Sequence, residues 1–266
     1  MIENMSNEKL WNKIYAGFEN DICNKCSSNI SSYRFISDPE PIPYVGTDYE
    51  IDTKYKLMFV GIESYSNTPR LDSQKIKYNP FCTEQIKALY FKDSKKSGII
   101  NSPFWNWVND ISTKVHGIKP EEAFKKIAYS NLNKCQSRAT EEGFSKPQYQ
   151  LVEKLSTNCI KESKWIFKEI SEVNPKNVIV FTGIRRGYLL AKLFIGDKNT
   201  IKYFNCNLYD EDHKWRCGKD LFIHLRDGDR RFIITNHPQG TPNEVKDEII
   251  RIIKDDYWES AEKWNT

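Results

Sequence analysis

Cys23, Cys26, Cys135 and Cys159, two near one another and two far off, are the residues of this chain whose type and spacing suggest chemistry most directly. A Cys-x2-Cys pair chelates one corner of a metal centre, and the remaining ligands must then come from distant sequence. The arrangement suggests a buried iron–sulfur cluster that staples the N-terminal region to the middle of the fold. Zinc is the alternative occupant of a four-cysteine site. Cys82, Cys206 and Cys217 have no neighbour at ligand spacing and read as small buried apolar groups.

A second set of reactive types falls at the ends of apolar runs. Glu63 lies just beyond Lys56-Leu57-Met58-Phe59-Val60-Gly61, Asn131 closes the run from Ile127 to Leu132, and His237 follows Arg231-Phe232-Ile233-Ile234-Thr235-Asn236. A carboxylate can meet developing positive charge, and a positioned imidazole N–H can meet developing negative charge. A carboxamide offers a donor and an acceptor side by side to a planar polar edge. The plainer alternatives are a surface carboxylate, a turn-forming Asn and a capping His. His116, His213 and His224 lack the strand-end context of His237.

The elements that must position these residues are legible in the periodicity. Leu10, Ile14 and Phe18 mark a helix over 7–19, and residues 27–50, with Pro39, Pro41 and Pro43, read as irregular. Strands are expected at 56–61, 127–132, 177–183 and 231–236, with a helical pattern through Tyr149, Val152, Leu155 and Cys159 continuing to Ile170. Strands separated by helices predict an α/β fold whose central parallel sheet is covered by helices on both faces. Ligands of such sheets sit at the carboxyl ends of the strands, here after Gly61, around Asn131, near Gly183 and at His237.

Composition sets the frame. The chain has 266 residues, of which 39% are hydrophobic and 29% charged, as in a soluble globular protein, and no stretch approaches a membrane span. A net charge of +4 permits a polyanionic partner. The aromatic content of 13%, with seven Trp, supplies rings that can stack on bases as well as fill a core. Seven cysteines without an apolar leader argue against a secreted disulfide framework, so a reducing cytoplasmic setting is expected. Residues 1–266 read as a single domain carrying a polar insertion at about 66–102, with Lys75, Lys77, Lys87, Lys92, Lys95 and Lys96, either an inert surface elaboration or a DNA-gripping element.

The order Val60-Gly61-Ile62-Glu63-Ser64-Tyr65, Pro103-Phe104, Ser130-Asn131-Leu132-Asn133-Lys134-Cys135, Val178 to Gly183 and Asn236-His237-Pro238 resembles the uracil-DNA glycosylase superfamily, and the cysteines resemble its iron–sulfur branch. The resemblance implies that family's fold, with an N-terminal helical cap held by a [4Fe–4S] cluster on Cys23, Cys26, Cys135 and Cys159. It implies a monomeric, monofunctional DNA glycosylase that releases a flipped uracil or modified cytosine, such as glucosylated hydroxymethylcytosine of phage DNA, in repair or antiviral defence. Glu63 then stands where the uracil-specific branch carries its Asp, and Tyr65 where that branch closes the pocket beside C5 of the base. The iron–sulfur branch has its Glu one position earlier and small residues after it, so Ile62 and Tyr65 depart from that pattern and leave the substrate base open. His237 becomes the donor to the base carbonyl, Asn131 the reader of the pyrimidine edge and Phe104 the stacking ring, with Phe81 of Asn79-Pro80-Phe81 as its rival. Gln239-Gly240-Thr241-Pro242 lacks the apolar wedge found near that His-Pro in relatives. The competing class is a non-catalytic nucleic-acid-binding module on the same scaffold.

Overall fold

The four apolar runs form the centre of one sheet in the computed structural model of the chain, which describes residues 7–15, 44–52, 54–62, 80–93, 102–133, 149–196, 201–202 and 222–255. Its strands among the described residues are β1 (Tyr44–Val45), β2 (Leu57–Gly61), β3 (Ile127–Asn131), β4 (Asn177–Val180), β5 (Ile201–Lys202), β6 (Phe222–Asp227) and β7 (Arg230–Thr235), in the order β1-β3-β2-β4-β7-β6-β5. The central strands β3, β2, β4 and β7 are mutually parallel. The edges are not: β1 pairs antiparallel with β3, and β6 pairs antiparallel with both β7 and β5, so the sheet is mixed rather than parallel throughout. Of those edge strands β1 and β5 carry a weak signal because each is only two residues long. Tyr44–Val45 lies inside the segment expected to be irregular, and the β6–β7 hairpin turns at Asp227-Gly228-Asp229, a turn signature in its own right.

The helices are α1 (Asn7–Tyr15), α2 (Pro80–Tyr90), α3 (Pro103–His116), α4 (Pro120–Phe124), α5 (Tyr149–Asn158), α6 (Trp165–Val173), α7 (Ile184–Ile195) and α8 (Asn243–Asp255). Alternate strand residues point to opposite faces, and the core divides accordingly. Leu57, Phe59, Ile127, Tyr129, Ile179, Phe181 and Ile233 pack with α2, α3, α4 and α8. Met58, Val60, Ala128, Val178, Val180, Phe232 and Ile234 pack with α1, α6 and α7. Burial on both sides explains why these strands read as unbroken apolar runs.

Two details depart from the sequence expectation. The stretch 66–102 is not wholly a polar surface insertion, because α2 lies within it and belongs to the core. Ile86 and Tyr90 are buried, and the Tyr90 hydroxyl is 2.7 Å from Ser112 Oγ. The helix that begins at Tyr149 does not run evenly to Ile170. It widens into a π-type turn over Cys159–Ser163, where the Lys164 N–H donates to the Cys159 carbonyl at 3.0 Å, and restarts at Trp165. Such wide turns recur at functional sites.

The connections place a crevice. From β2 the chain passes through α2, α3 and α4 on one face to β3. From β3 it crosses the other face through α5 and α6 to reach β4 on the far side of β2. In sheets of this kind ligands bind at the carboxyl ends where chains leave adjacent strands toward opposite faces, which here is beside Gly61.

Candidate active site

Gly61, the last residue of β2, pairs in register with Asn131, the last residue of β3. Both belong to the strand positions that face α3. A Cβ placed on Gly61 would stand 2.7 Å from Asn131 Oδ1, 3.3 Å from the Tyr129 hydroxyl and 3.5 Å from Phe104 Cε2, so the absent side chain is what admits these three groups to one spot. Asn131 is buried, and its Oδ1 accepts the Tyr129 O–H at 2.5 Å. Burial pushes the Tyr129 phenol well above its ordinary range, so it stays protonated and able to donate at neutral pH.

Phe104 reaches this wall from the first turn of α3. Ser102 caps that helix by accepting the Trp105 N–H at 3.5 Å, and Pro103 fills the first helical position, where a missing N–H costs nothing. The Phe104 ring meets Tyr129 edge-on at 5.7 Å and Phe181 edge-on at 5.5 Å. Toward His237 it lies nearly parallel, with centroids 6.2 Å apart and planes 23° apart. Phe104 is thus a buried core side chain whose ring also faces His237.

His237 follows β7 in a short loop tied down by the Thr241 hydroxyl, which donates to the His237 carbonyl at 2.7 Å. Its Nδ1 accepts the Gln239 N–H at 3.1 Å. An accepting Nδ1 puts the ring proton on Nε2, and partial burial lowers the pKa, so at neutral pH the ring is an uncharged Nε2–H donor. The β7 end is joined to the β4 end by the Gly183 N–H, which donates to the Thr235 carbonyl at 3.2 Å. Positive charge accompanies this edge at the start of α7: Arg185 is exposed, and Arg186 is held by the Thr182 carbonyl at 3.0 Å and by Glu153 at 2.9 Å.

Asn131, Phe104 and His237 are therefore brought to one edge of the sheet. Glu63 and Tyr65 lie outside the described residues. The backbone leading to them is held by β3, since Gly61 and Ile62 carbonyls accept the N–H groups of Leu132 and Asn133 at 2.9 and 2.7 Å. Cys23, Cys26 and Cys135 also lie outside the described residues, as do Cys206, Cys217 and the side chains of Phe81 and Cys82. Cys159 is buried at the start of the wide turn. Among the described residues no three His, Cys, Asp or Glu side chains assemble a metal site. Among the described residues, Leu10 and Ile14 of α1, Leu132 beyond β3 and Ile160 beside Cys159 share one apolar cluster.

Tyr129 is the site residue that sequence reasoning missed. Its signal was the period of two, which puts it on the same face of β3 as Asn131 and one pleat deeper. Ser130 points the other way, where its hydroxyl donates to the buried carboxyl of Glu169, whose pKa burial drives well above the carboxylate range. A separate cleft of about 450 Å³ lies at the amino ends of the strands, lined by Lys56, Asn174, Lys176, Asp227, Asp229 and Arg230. Lys56 there bonds Glu50 at 2.7 Å, and Arg230 bonds Asn174 at 2.9 Å and Asp227 at 3.3 Å. We read it as an ion-paired surface. Compared with known proteins, the chain matches no family model and no curated sequence. Among the described residues no helix is long and apolar enough to cross a membrane.

Proposed function

We propose that the chain is a monofunctional DNA glycosylase of the uracil-DNA glycosylase type, hydrolysing the N-glycosidic bond of a flipped uracil or modified cytosine. The observation that carries this reading is the gathering of a buried carboxamide, an aromatic ring and a neutral imidazole donor at the carboxyl-end edge of the sheet, where Gly61 lets Asn131, Tyr129 and Phe104 come together and the Phe104 ring lies nearly parallel to His237.

A pocket that reads the edge and the face of a base needs that base out of its stack, which is why flipping is part of the proposal. Phe104 offers the face and Asn131 the edge. Breaking the bond leaves negative charge on the departing base and positive charge on the sugar, much as in glycoside hydrolysis. The Nε2–H of His237 meets the first at a base carbonyl, and being uncharged beforehand it gives its strongest interaction only as that charge develops. Glu63, one residue beyond the paired backbone of Ile62, is assigned to the second, orienting water or supporting the sugar cation. Tyr65 is assigned to the pocket mouth. Cys23, Cys26, Cys135 and Cys159 would hold the [4Fe–4S] cluster, whose contribution is to staple the segments around β3 rather than to move electrons.

Single-turnover base release tests the assignment. His237→Ala and Glu63→Gln should each slow release by roughly a hundredfold while DNA affinity stays within about threefold, because both groups act on charge present only in the transition state. A variant that excises at the parental rate removes that residue from the mechanism.

A further inference from the structure

We propose that Tyr129 fixes the orientation of the Asn131 carboxamide and thereby sets whether the pocket takes a pyrimidine with a 4-keto or a 4-amino group. This rests on the reading of the crevice as a base pocket.

The two edges are opposites. A 4-keto pyrimidine presents an N3–H donor beside an O4 acceptor, whereas a 4-amino pyrimidine presents an N3 acceptor beside an N4–H donor. A carboxamide held in one orientation can satisfy both positions of one class, and it meets the other class donor to donor and acceptor to acceptor. Rotating the amide by half a turn reverses the preference, so whatever prevents that rotation determines specificity.

Tyr129 is placed to prevent it. Its hydroxyl donates to Asn131 Oδ1 at 2.5 Å, and both side chains are buried. Among the described residues the phenol is otherwise flanked by rings, with Phe104 edge-on at 5.7 Å and Trp105 at 4.7 Å. A flipped amide would turn its NH2 toward the phenol oxygen and leave the phenol proton with no acceptor among those rings, a loss a buried hydroxyl does not tolerate cheaply. Gly61 keeps the carbonyl orientation open, because any side chain there would occupy the position 2.7 Å from Oδ1. With Oδ1 turned toward Tyr129, the amide nitrogen is turned away from it. Tyr129 is therefore a positioning residue that acts through Asn131.

Tyr129→Phe keeps the ring and removes only the lock. The test measures affinities of the full-length protein for free uracil and free cytosine, followed by the shift of the Asn131 side-chain amide signals, with the thermal midpoint as a fold control. The parental protein should prefer one base, and Tyr129→Phe should cut that preference about tenfold, mostly by admitting the disfavoured base. In an Asn131→Ala background the same substitution should change nothing further. A folded Tyr129→Phe protein with the parental preference overturns the inference and leaves the base pocket standing. Equal affinity of the parental protein for both bases also overturns it, and binding of neither overturns the pocket as well. A preference that depends on Tyr129, in a protein that releases no base from DNA, supports the inference and removes the glycosylase activity instead.

Discussion

Replacing Gly61 by Ala perturbs the site with a single carbon. The backbone of Gly61 is not in the left-handed region, so alanine fits its conformation and only space is at issue. The new Cβ would stand 2.7 Å from Asn131 Oδ1, where ordinary contact begins at 3.4 Å, so the carboxamide has to retreat by about 0.7 Å. It cannot do so alone, since Oδ1 is bonded to Tyr129, whose hydroxyl lies 3.3 Å from the same carbon. Overpacking of this kind costs about 1–3 kcal/mol, and the strained Tyr129–Asn131 bond adds about 1 kcal/mol. The melting midpoint should therefore fall by roughly 4–7 °C, read from thermal denaturation by circular dichroism. Base release should fall by more than about tenfold, because a misplacement near 1 Å at a substrate-positioning group is costly. A Gly61→Ala protein with the parental midpoint and the parental rate would refute the claim that this glycine makes the room in which Asn131 is held beside Tyr129.

Other consequences are equally direct. Because burial lowers the His237 pKa, the unfolded chain takes up a proton first as pH falls below 6.5; the stability His237 contributes is present above that value and is lost toward the lowered folded pKa, and base release should be flat above pH 6.5 with its acid limb below it. Glu169 has the opposite sign: its raised folded pKa makes stability decline as pH climbs above 4.5, so Glu169→Gln should flatten the stability profile between pH 5 and 8 in chemical denaturation. Cys159→Ala should lower both iron content and soluble yield, whereas Cys82→Ala, Cys206→Ala and Cys217→Ala should leave iron content unchanged, as measured by metal analysis of anaerobically purified protein. Ile86→Ala should cost about 2–5 kcal/mol in denaturant unfolding, since this α2 residue is buried in the core; a loss below about 0.5 kcal/mol would return α2 to the status of a surface insertion.

The centre of the fold was legible because strands buried on both faces must be apolar throughout, and the four runs ending at Gly61, Asn131, Val180 and Thr235 announce themselves without help from context. The edges were less so. β1 is two residues long beside a proline-rich stretch, and its pairing with Tyr129 and Ala128 is a tertiary fact with almost no local signature. Within 66–102 the lysines mask the spacing of Ile86 and Tyr90, which packs one face of α2 even though Lys87 and Lys92 are exposed. In the site, Asn131 and His237 could be found as polar residues terminating apolar strands. Phe104 could be placed only through a resemblance, since a Phe near a helix start is ordinarily core, and here it is both. Tyr129 looked like one more strand aromatic. Its role depends on the missing Cβ of Gly61 across the sheet, which is a property of register rather than of any one segment.

The most direct measurement is base release from otherwise identical DNAs carrying a single uracil, 5-hydroxymethylcytosine or glucosylated 5-hydroxymethylcytosine, treated with the cluster-loaded protein and then with alkali. The account predicts strand breaks at the altered base only after alkali, with at least one of the three processed and the product lost in His237→Ala. A folded, cluster-loaded protein that leaves all three DNAs intact, or a His237→Ala protein that processes them as fast as the parent, would contradict it.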